Sequence, residues 1–585
     1  MLTRLCVTKL LTVAVFSSST IAIALRPSCH ASHRHYLNQS ASGAFIGIPC
    51  LNGLGADKPS TSKVLAASGK TPRISLGAPK DAVGTLNDVR VRFAPSPTGE
   101  LHVGNLRTFI YNYLYARKNE GVLIFRVDDT DDNREVSGCL SKIIKDLKWL
   151  GFSWSEGPGS KHNDDKYYQS KRQGLYRDTA DILIQTQKAY RCFCTKEEVN
   201  ERKKKKSKTS HLSYDKACRH LSTAKITENL LDKKPFTVRF SNVDDNEDFI
   251  LIRSNGTATY NFACAVDDHS HGITHVIRGV DHLENTYKQI NILEAIGTEL
   301  PTYVHCSLMC NTDQSKLSKR SGDAITISKL REMGVCKLPI VNYLSFLGTS
   351  NADDPKCHSI GVIAHVFDLD MLNRTPIAFD MAKLLWLNRR YIEELPYNEF
   401  VTQMSSFLDN VKDLQTAFSK ETLKKLISVA PQPLKSGVDT MREYATLIDS
   451  ALSYKVPRFV GHGCYDYGGF FLTDESQKFL ETFVEWSQHL ITASEVGQSL
   501  SELLKDMLKS DEFIAIDGKK HLGVVRYALT GMNQGPPISQ MIDLWLIAKE
   551  QKLEGFIPLH QRILNLRDMN FFSNDPVAEG LFKKS

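Results

Sequence analysis

The stretch PSPTGELHVGN, residues 95–105, follows an apolar run, VRVRF at 89–93, that reads as a strand. Two prolines and a glycine carry the chain out of that strand, and His102 and Gly104 stand where a helix should begin. A helix start offers unpaired N–H groups and the positive end of a dipole, so it is a ready seat for phosphate. Downstream, KLSKR at 316–320 places Lys316 and Lys319 on either side of Ser318, after the polar run NTDQS that marks a loop. An imidazole at a helix start and two lysines on a loop suit one task. Together they can position a polyphosphate and neutralise the charge that builds on it in a transition state.

A second constellation is Cys192-x-Cys194 followed by Cys218-x-His220. Three thiols and an imidazole in two close pairs match a closed tetrahedral Zn2+ site, which is structural rather than catalytic. Tyr214 is a rival to His220 for the fourth position. Between the pairs lies RKKKK, Arg202 to Lys206, read either as a solvated face or as a contact to nucleic-acid phosphates.

The elements that must position these groups follow from periodicity. After the strand at 89–93 a helix is expected over His102–Lys118, then a buried strand VLIFRV (122–127) and a helix in SKIIKDLKWLGF (141–152). Strand, helix, strand, helix implies a parallel α/β sheet. The pattern loosens into a Lys-rich polar insertion over 165–254. Strand-like runs resume at YNFACAV (260–266) and THVIRGV (274–280), before an apolar-periodic helix over 283–296. This reads as one sheet split by an inserted domain. Beyond about residue 376 helix signals dominate, as in NEFVTQMSSFLDNV (398–411), TMREYATLIDSAL (440–452) and ITASEVGQSLSELLKDM (491–507). In the last of these Thr492 and Glu495 read as a T-x-x-E capping box.

Bulk composition sets wide limits. A chain of 585 residues exceeds one core and suggests three or four domains. Hydrophobic content of 42% and charged content of 24% are those of an ordinary soluble enzyme. A formal charge of +7 permits a polyanionic partner without requiring one. Thirteen cysteines are too sparse for a disulfide scaffold and read as reduced thiols.

The two phosphate-binding segments resemble the paired signatures of class I aminoacyl-tRNA synthetases, with His102-Val103-Gly104-Asn105 as the first and 316–320 as the second. The longer words RFAPSPTGELHVGNLRT, DDTD, TYNFACAVDD, THVIRG, KLSKR, KLLWLN and RYALTG are similar to glutamyl-tRNA synthetase of the bacterial and organellar kind, from about residue 90 to about 545. The resemblance implies a Rossmann-like catalytic domain with an inserted acceptor-binding domain, then an all-α anticodon-binding region. The corresponding divisions are a catalytic first half (88–164), the insertion with its zinc site (165–254), a second half (255–311), a connecting domain with the lysine loop (312–385) and the helical region (386–585).

It also implies a reaction. ATP and L-glutamate form an enzyme-bound glutamyl-adenylate with release of pyrophosphate, and the glutamyl group then passes to the terminal adenosine of tRNA(Glu). His102, Lys316 and Lys319 take the catalytic roles. Thr98, Gly99, Gly104, Asp281, Ser318 and Arg320 join them around ATP, which arrives with Mg2+. Arg92, Ser96, Asp128, Tyr260 and Arg278 line the glutamate pocket, where arginine forks match a carboxylate and leave glutamine without a charged partner. Asp128 stands where the family usually has Glu, and Val280 replaces a usual acidic residue. The family often carries zinc at positions matching Cys192, Cys194, Cys218 and His220. Charging of tRNA(Gln) as well stays open, and a monomer is expected. Glutaminyl-tRNA synthetase is the nearest alternative, set aside because it reads the anticodon with β-barrels. A glutamyl-queuosine-tRNA synthetase, a short nucleotidyltransferase and a non-catalytic RNA-binding descendant fit the chain less well.

The N-terminus is a separate object. Residues 1–24 carry Arg4 and Lys9, then the apolar run LLTVAVFSSSTIAIAL, with Ala22-Ile23-Ala24 as an A-x-A cleavage signal. The run is shorter than the ~20 residues of a membrane span, so a signal peptide is expected and no membrane attachment of the mature form. Residues 25–87 are Ser-, Gly- and Ala-rich, basic and without period, like an organellar transit segment. The tandem leader resembles that of proteins sent to plastids of secondary origin, such as an apicoplast, with the mitochondrion as the alternative.

Overall fold

The computed structural model describes residues 89–130, 138–205, 214–242, 248–310, 325–349, 356–430, 432–455, 459–460, 470–471, 474–495, 499–515, 521–531 and 536–567. The leader and the segment carrying Lys316, Ser318, Lys319 and Arg320 lie outside the described residues.

The chain opens with β1 (Arg90–Phe93), α1 (Val103–Lys118), β2 (Val122–Phe125) and α2 (Cys139–Trp149). Next come α3 (Gln173–Gln185), β3 (Ala189–Cys192), α4 (Lys196–Lys205), α5 (Thr223–Leu231), β4 (Thr237–Phe240) and β5 (Ile250–Ile252). The first fold then resumes with α6 (Tyr260–Ser270), β6 (His275–Gly279), α7 (Leu283–Ile296), β7 (Thr302–Cys306) and β8 (Met309–Cys310). Strands β2, β1, β6 and β7 form one parallel sheet in that order. The inserted strands β3, β4 and β5 form a separate antiparallel sheet. Strand pairing therefore joins 90–125 to 275–306 across the insertion, as a parallel sheet built from crossovers allows.

Helix α1 crosses this sheet, and Leu106, Phe109, Ile110 and Leu114 are fully buried in a core with Val91, Phe125 and Ile277. His102 caps α1: its Nδ1 accepts from the Asn105 N–H at 3.4 Å. Arg117 and Lys118 in the last turn complement the negative end of the dipole.

The described remainder is mostly helical, beginning with α8 (Ile327–Glu332) and α9 (Lys337–Phe346) and ending with the helix Leu559–Arg567; Ile377–Ala378 pairs with β8, and Phe459–Val460 with Phe470–Phe471. A second core joins Phe400, Tyr444, Phe483 and Trp545. The segment 553–566 packs into it through Leu559, Ile563 and Leu566. The guanidinium of Arg562, fully buried, donates to the carbonyls of Leu452, Ser453, Leu529 and Ile557 and lies 4.7 Å from the Trp545 ring centroid. It thereby satisfies carbonyls at the ends of the helices Met441–Leu452 and Leu522–Thr530 that would otherwise be orphaned. No helix among the described residues is long and apolar enough to cross a membrane.

Two expectations are corrected. YNFACAV is helical, not a strand: all of Phe262–Asp268 is buried, and a helix buried on every side shows no amphipathic period to distinguish it from an apolar strand. Thr492 and Glu495 end the helix Asp474–Glu495 instead of starting one; the next helix, Leu500–Met507, has Ser499 at its N-cap. A T-x-x-E spacing also fits the polar face of a helix already under way.

Candidate active site

Leaving β1, the chain turns at Pro95–Gly99, where the Thr98 N–H donates to the Ser96 carbonyl at 2.8 Å. Ser96 is exposed, and a Cβ placed on Gly99 would meet nothing within 4 Å, so this turn borders open space. The chain re-enters at Ile325 directly against the capping histidine. The Val103 N–H donates to the Ile325 carbonyl (3.1 Å), the Ile327 N–H to the Leu101 carbonyl (3.0 Å), and His102 and Thr326 form an antiparallel bridge. Ile325–Ile327, which follow the lysine-bearing stretch in sequence, thus pair with the same backbone that presents His102. A Cβ on Gly104 would stand 3.1 Å from the His102 ring, close enough to press the imidazole out of its present position. Asp281 is exposed at the end of β6, with its carboxylate folded over Gly279 and 3.9 Å from the His282 ring.

The arginines expected to read a carboxylate are both buried. Arg92, on β1, donates from Nε to Asp268 at 3.2 and 3.3 Å. Its two terminal nitrogens make no protein hydrogen bond among the described residues, so half of its fork remains for a ligand. Arg126, just after β2 and completely buried, binds Asp268 through Nη1 at 2.5 Å and Asp128 through Nε at 2.8 Å. Asp267 receives the Tyr176 hydroxyl (2.8 Å) and the Gln169 amide (2.9 Å) and is ion-paired with Arg172 (2.8 Å). In this network three arginines meet three carboxylates and the charges balance.

Arg278, on β6, stands apart. It donates to Gln289 (2.7 Å), Thr286 (2.7 Å) and the His282 carbonyl (3.3 Å), and its guanidinium lies 5.3 Å from the Tyr303 ring centroid. None of these partners is anionic. Burial, with repulsion from Arg92, pushes Arg278 below the ordinary arginine range. The two cations are therefore neighbours, and among the described residues Arg278 has no carboxylate against it. Tyr260 lies beside them: its hydroxyl is 3.4 Å from His282 Nδ1, and burial pushes its pKa up.

Asp128 is in place but already engaged. Besides Arg126 it accepts from the Cys264 thiol at 3.2 Å and is 4% exposed. Its neighbour Asp129 is committed to the Ser170 N–H (2.8 Å) and hydroxyl (2.6 Å).

In the insertion, Cys192, Cys194 and Cys218 bring their sulfurs within 4.8 Å of one another. Four-coordinate zinc with Zn–S near 2.3 Å needs sulfurs ~3.8 Å apart, so the trio fits. His220 is exposed and stands outside the cluster. The Tyr214 hydroxyl lies beside the trio instead, 3.1 Å from Cys192 and 3.9 Å from Cys194, and accepts from the Cys218 N–H at 3.1 Å. The reason is local: the turn 217–220 points Cys218 inward, and a residue two positions on faces solvent. Hydrogen bonding from Cys218 draws Cys192 down to about 4 despite burial. Arg202 donates to the Cys194 sulfur at 2.9 Å and pairs with Asp215, while Arg239 lies 3.8 Å from the Tyr214 ring centroid. Arg202, the first residue of the basic run, thus faces the thiols; Lys203 and Lys204 are exposed.

The sequence matches the family described as tRNA synthetases class I (E and Q), catalytic domain, over residues 88–247 and 242–386. Glutamate–tRNA ligase of Carboxydothermus hydrogenoformans is 35% identical over 479 residues, covering 78% of this chain and 96% of that protein. This chain belongs to the glutamyl-tRNA synthetases. Glutamate–tRNA ligase 2 of Thermoanaerobacter pseudethanolicus is 39% identical over 374 residues, covering 60% of this chain and 76% of its own. A crystal structure of a glutamate tRNA ligase from Elizabethkingia meningosepticum with its amino acid shares the fold, with a TM-score of 0.65 over 82% of this chain and 99% of that one, at 24% identity. Within the family's fold, sequence reasoning had not singled out Arg126, Cys264, Asp267 or Asp268. The one visible signal was the paired acid after an apolar run, and it is uninformative without knowing that 260–270 is a helix end.

Proposed function

We propose that the chain joins L-glutamate to tRNA(Glu), by ATP-dependent formation of glutamyl-adenylate and transfer to the terminal adenosine. The observation that carries this reading is Arg278. A buried guanidinium surrounded by neutral partners is costly unless an anion joins it, and glutamate brings one more carboxylate than glutamine does. With the free face of Arg92, the cleft offers two forks to that carboxylate.

His102 and the backbone after it would receive the ATP phosphates, with Mg2+ carried in on the nucleotide. Lys319 would act on the same phosphates, as the lysine loop of the family implies. Lys316, Ser318 and Arg320 complete this part of the site. Because Asp128 is drawn back onto Arg126 and Cys264, its hold on the substrate ammonium would be indirect.

Zn2+ would be held by Cys192, Cys194, Cys218 and Tyr214. The metal would clamp the insertion that meets the tRNA acceptor end, and Arg202 and Arg239 would offset the excess anionic charge of such a site. Residues 1–87 would direct the chain to a plastid, placing the reaction in organellar translation; a fusion of this segment to a fluorescent protein tests that destination. Glutaminyl-tRNA synthetase activity is the second reading, and a buried unopposed cation disfavours it.

The test is acylation of total tRNA with labelled glutamate or glutamine, followed by hydrolysis to identify the attached residue. Glutamate on the glutamate acceptor supports the proposal. Label from glutamine alone would overturn it, and probing the charged tRNAs separately shows whether tRNA(Gln) is also a substrate.

A further inference from the structure

Asp267 and Asp268 are adjacent near the end of α6, and neighbouring helical residues point about 100° apart. Each therefore serves a different module. Asp268 faces the cleft and holds Arg92 and Arg126. Asp267 faces the chain entering the insertion and takes Gln169, Arg172 and Tyr176. Arg126 stands between them, with Nε 2.8 Å from Asp128 and 4.0 Å from Asp267. All of these groups are buried except Arg172, whose side chain is 10% exposed.

We propose that Tyr176 and Arg172, although outside the cleft, are positioning residues for glutamate recognition, acting through Asp267 and Arg126 on Asp268 and Arg92. This rests on the glutamate reading above. The physical basis is competition for one cation. While Tyr176 and Gln169 hydrogen-bond one oxygen of Asp267 and Arg172 pairs ionically with the other, Arg126 is left to Asp268 and Asp128. Removing a donor from Asp267 leaves a buried carboxylate under-satisfied, and Arg126, 4.0 Å away, is the next cation after Arg172. Any shift of Arg126 toward Asp267 loosens both Asp268 and Asp128. Asp268 then no longer fixes the Arg92 fork, and Asp128 loses its anchor. The insertion and the amino-acid cleft are joined in this way by a single buried ionic network.

The test uses the full chain with tRNA bound, in glutamate-dependent pyrophosphate exchange. Tyr176→Phe is expected to raise KM for glutamate about tenfold, the scale of one hydrogen bond to a charged group. KM for ATP should stay within about twofold, a split that a general loss of structure would not give. Arg172→Met should act in the same direction and Arg172→Lys should largely restore KM, since it keeps the charge. Unchanged glutamate KM in folded Tyr176→Phe would overturn the proposal. If that variant does not fold, equal KM for Arg172→Met and Arg172→Lys overturns it. Absence of glutamate-dependent exchange in the unaltered chain would instead refute the glutamate reading itself.

Discussion

Arg92 gives its Nε–H to both oxygens of Asp268, at 3.2 and 3.3 Å, and keeps its terminal nitrogens for the cleft. An arginine held from one side in this way is pre-oriented, so little of its freedom is lost when a carboxylate arrives. Arg278, held among the described residues by Gln289, Thr286 and a carbonyl, supplies the uncompensated charge.

Arg278→Gln should therefore lower kcat/KM for glutamate by about 100-fold or more, as loss of a buried charged hydrogen bond does, while leaving KM for ATP nearly unchanged. Steady-state pyrophosphate exchange at varied glutamate and varied ATP separates the two effects.

Lys319→Ala should slow adenylate formation by about 10²–10³-fold with little change in glutamate binding, because its charge matters most as pyrophosphate leaves. Rapid-quench measurement of the first turnover checks this. An unchanged activation step would remove Lys319 from the reaction.

The cysteine cluster makes a prediction that the bare sequence would have made differently. Elemental analysis should find about one zinc per chain, retained in His220→Ala and lost in Cys218→Ser. Tyr214→Phe should weaken retention against a chelator, since Tyr214 and not His220 faces the three sulfurs.

Much of this was legible in residue order. The strand–helix alternation of 89–152 gave the sheet, and the strong signal of His102 and Gly104 gave the helix start. What stayed hidden was long-range. Nothing local says that Ile325 returns to pair beside His102, or that Asp268 meets Arg92, 176 positions away. Burial hid α6 because a helix surrounded by apolar neighbours loses its stripe. His220 misled because spacing alone does not reveal which residue of a turn points inward.

Stability should fall in mild acid. Burial holds His271 down to about 3 and His305 down to about 4 in the folded chain. Unfolded histidines protonate near 6.5, so the unfolded state binds more protons below that pH and unfolding becomes easier as pH falls from 6.5 toward 4. Asp267, raised to about 6 by burial, acts in the opposite sense over part of the window. The two histidines outweigh it. His271→Gln should flatten the dependence between pH 6 and 4 by about 1.4 kcal/mol per pH unit, read from urea melts across the range.

The claim at the centre is that an unopposed buried cation in the Arg92–Arg278 cleft selects the amino acid. Its most direct measure is the ratio of kcat/KM for glutamate over glutamine in pyrophosphate exchange, with tRNA bound and both amino acids freshly purified. A ratio of at least about 10³ is expected from a site whose charged groups would be left unpaired by the amide. Equal use of the two amino acids, or preference for glutamine, would contradict it.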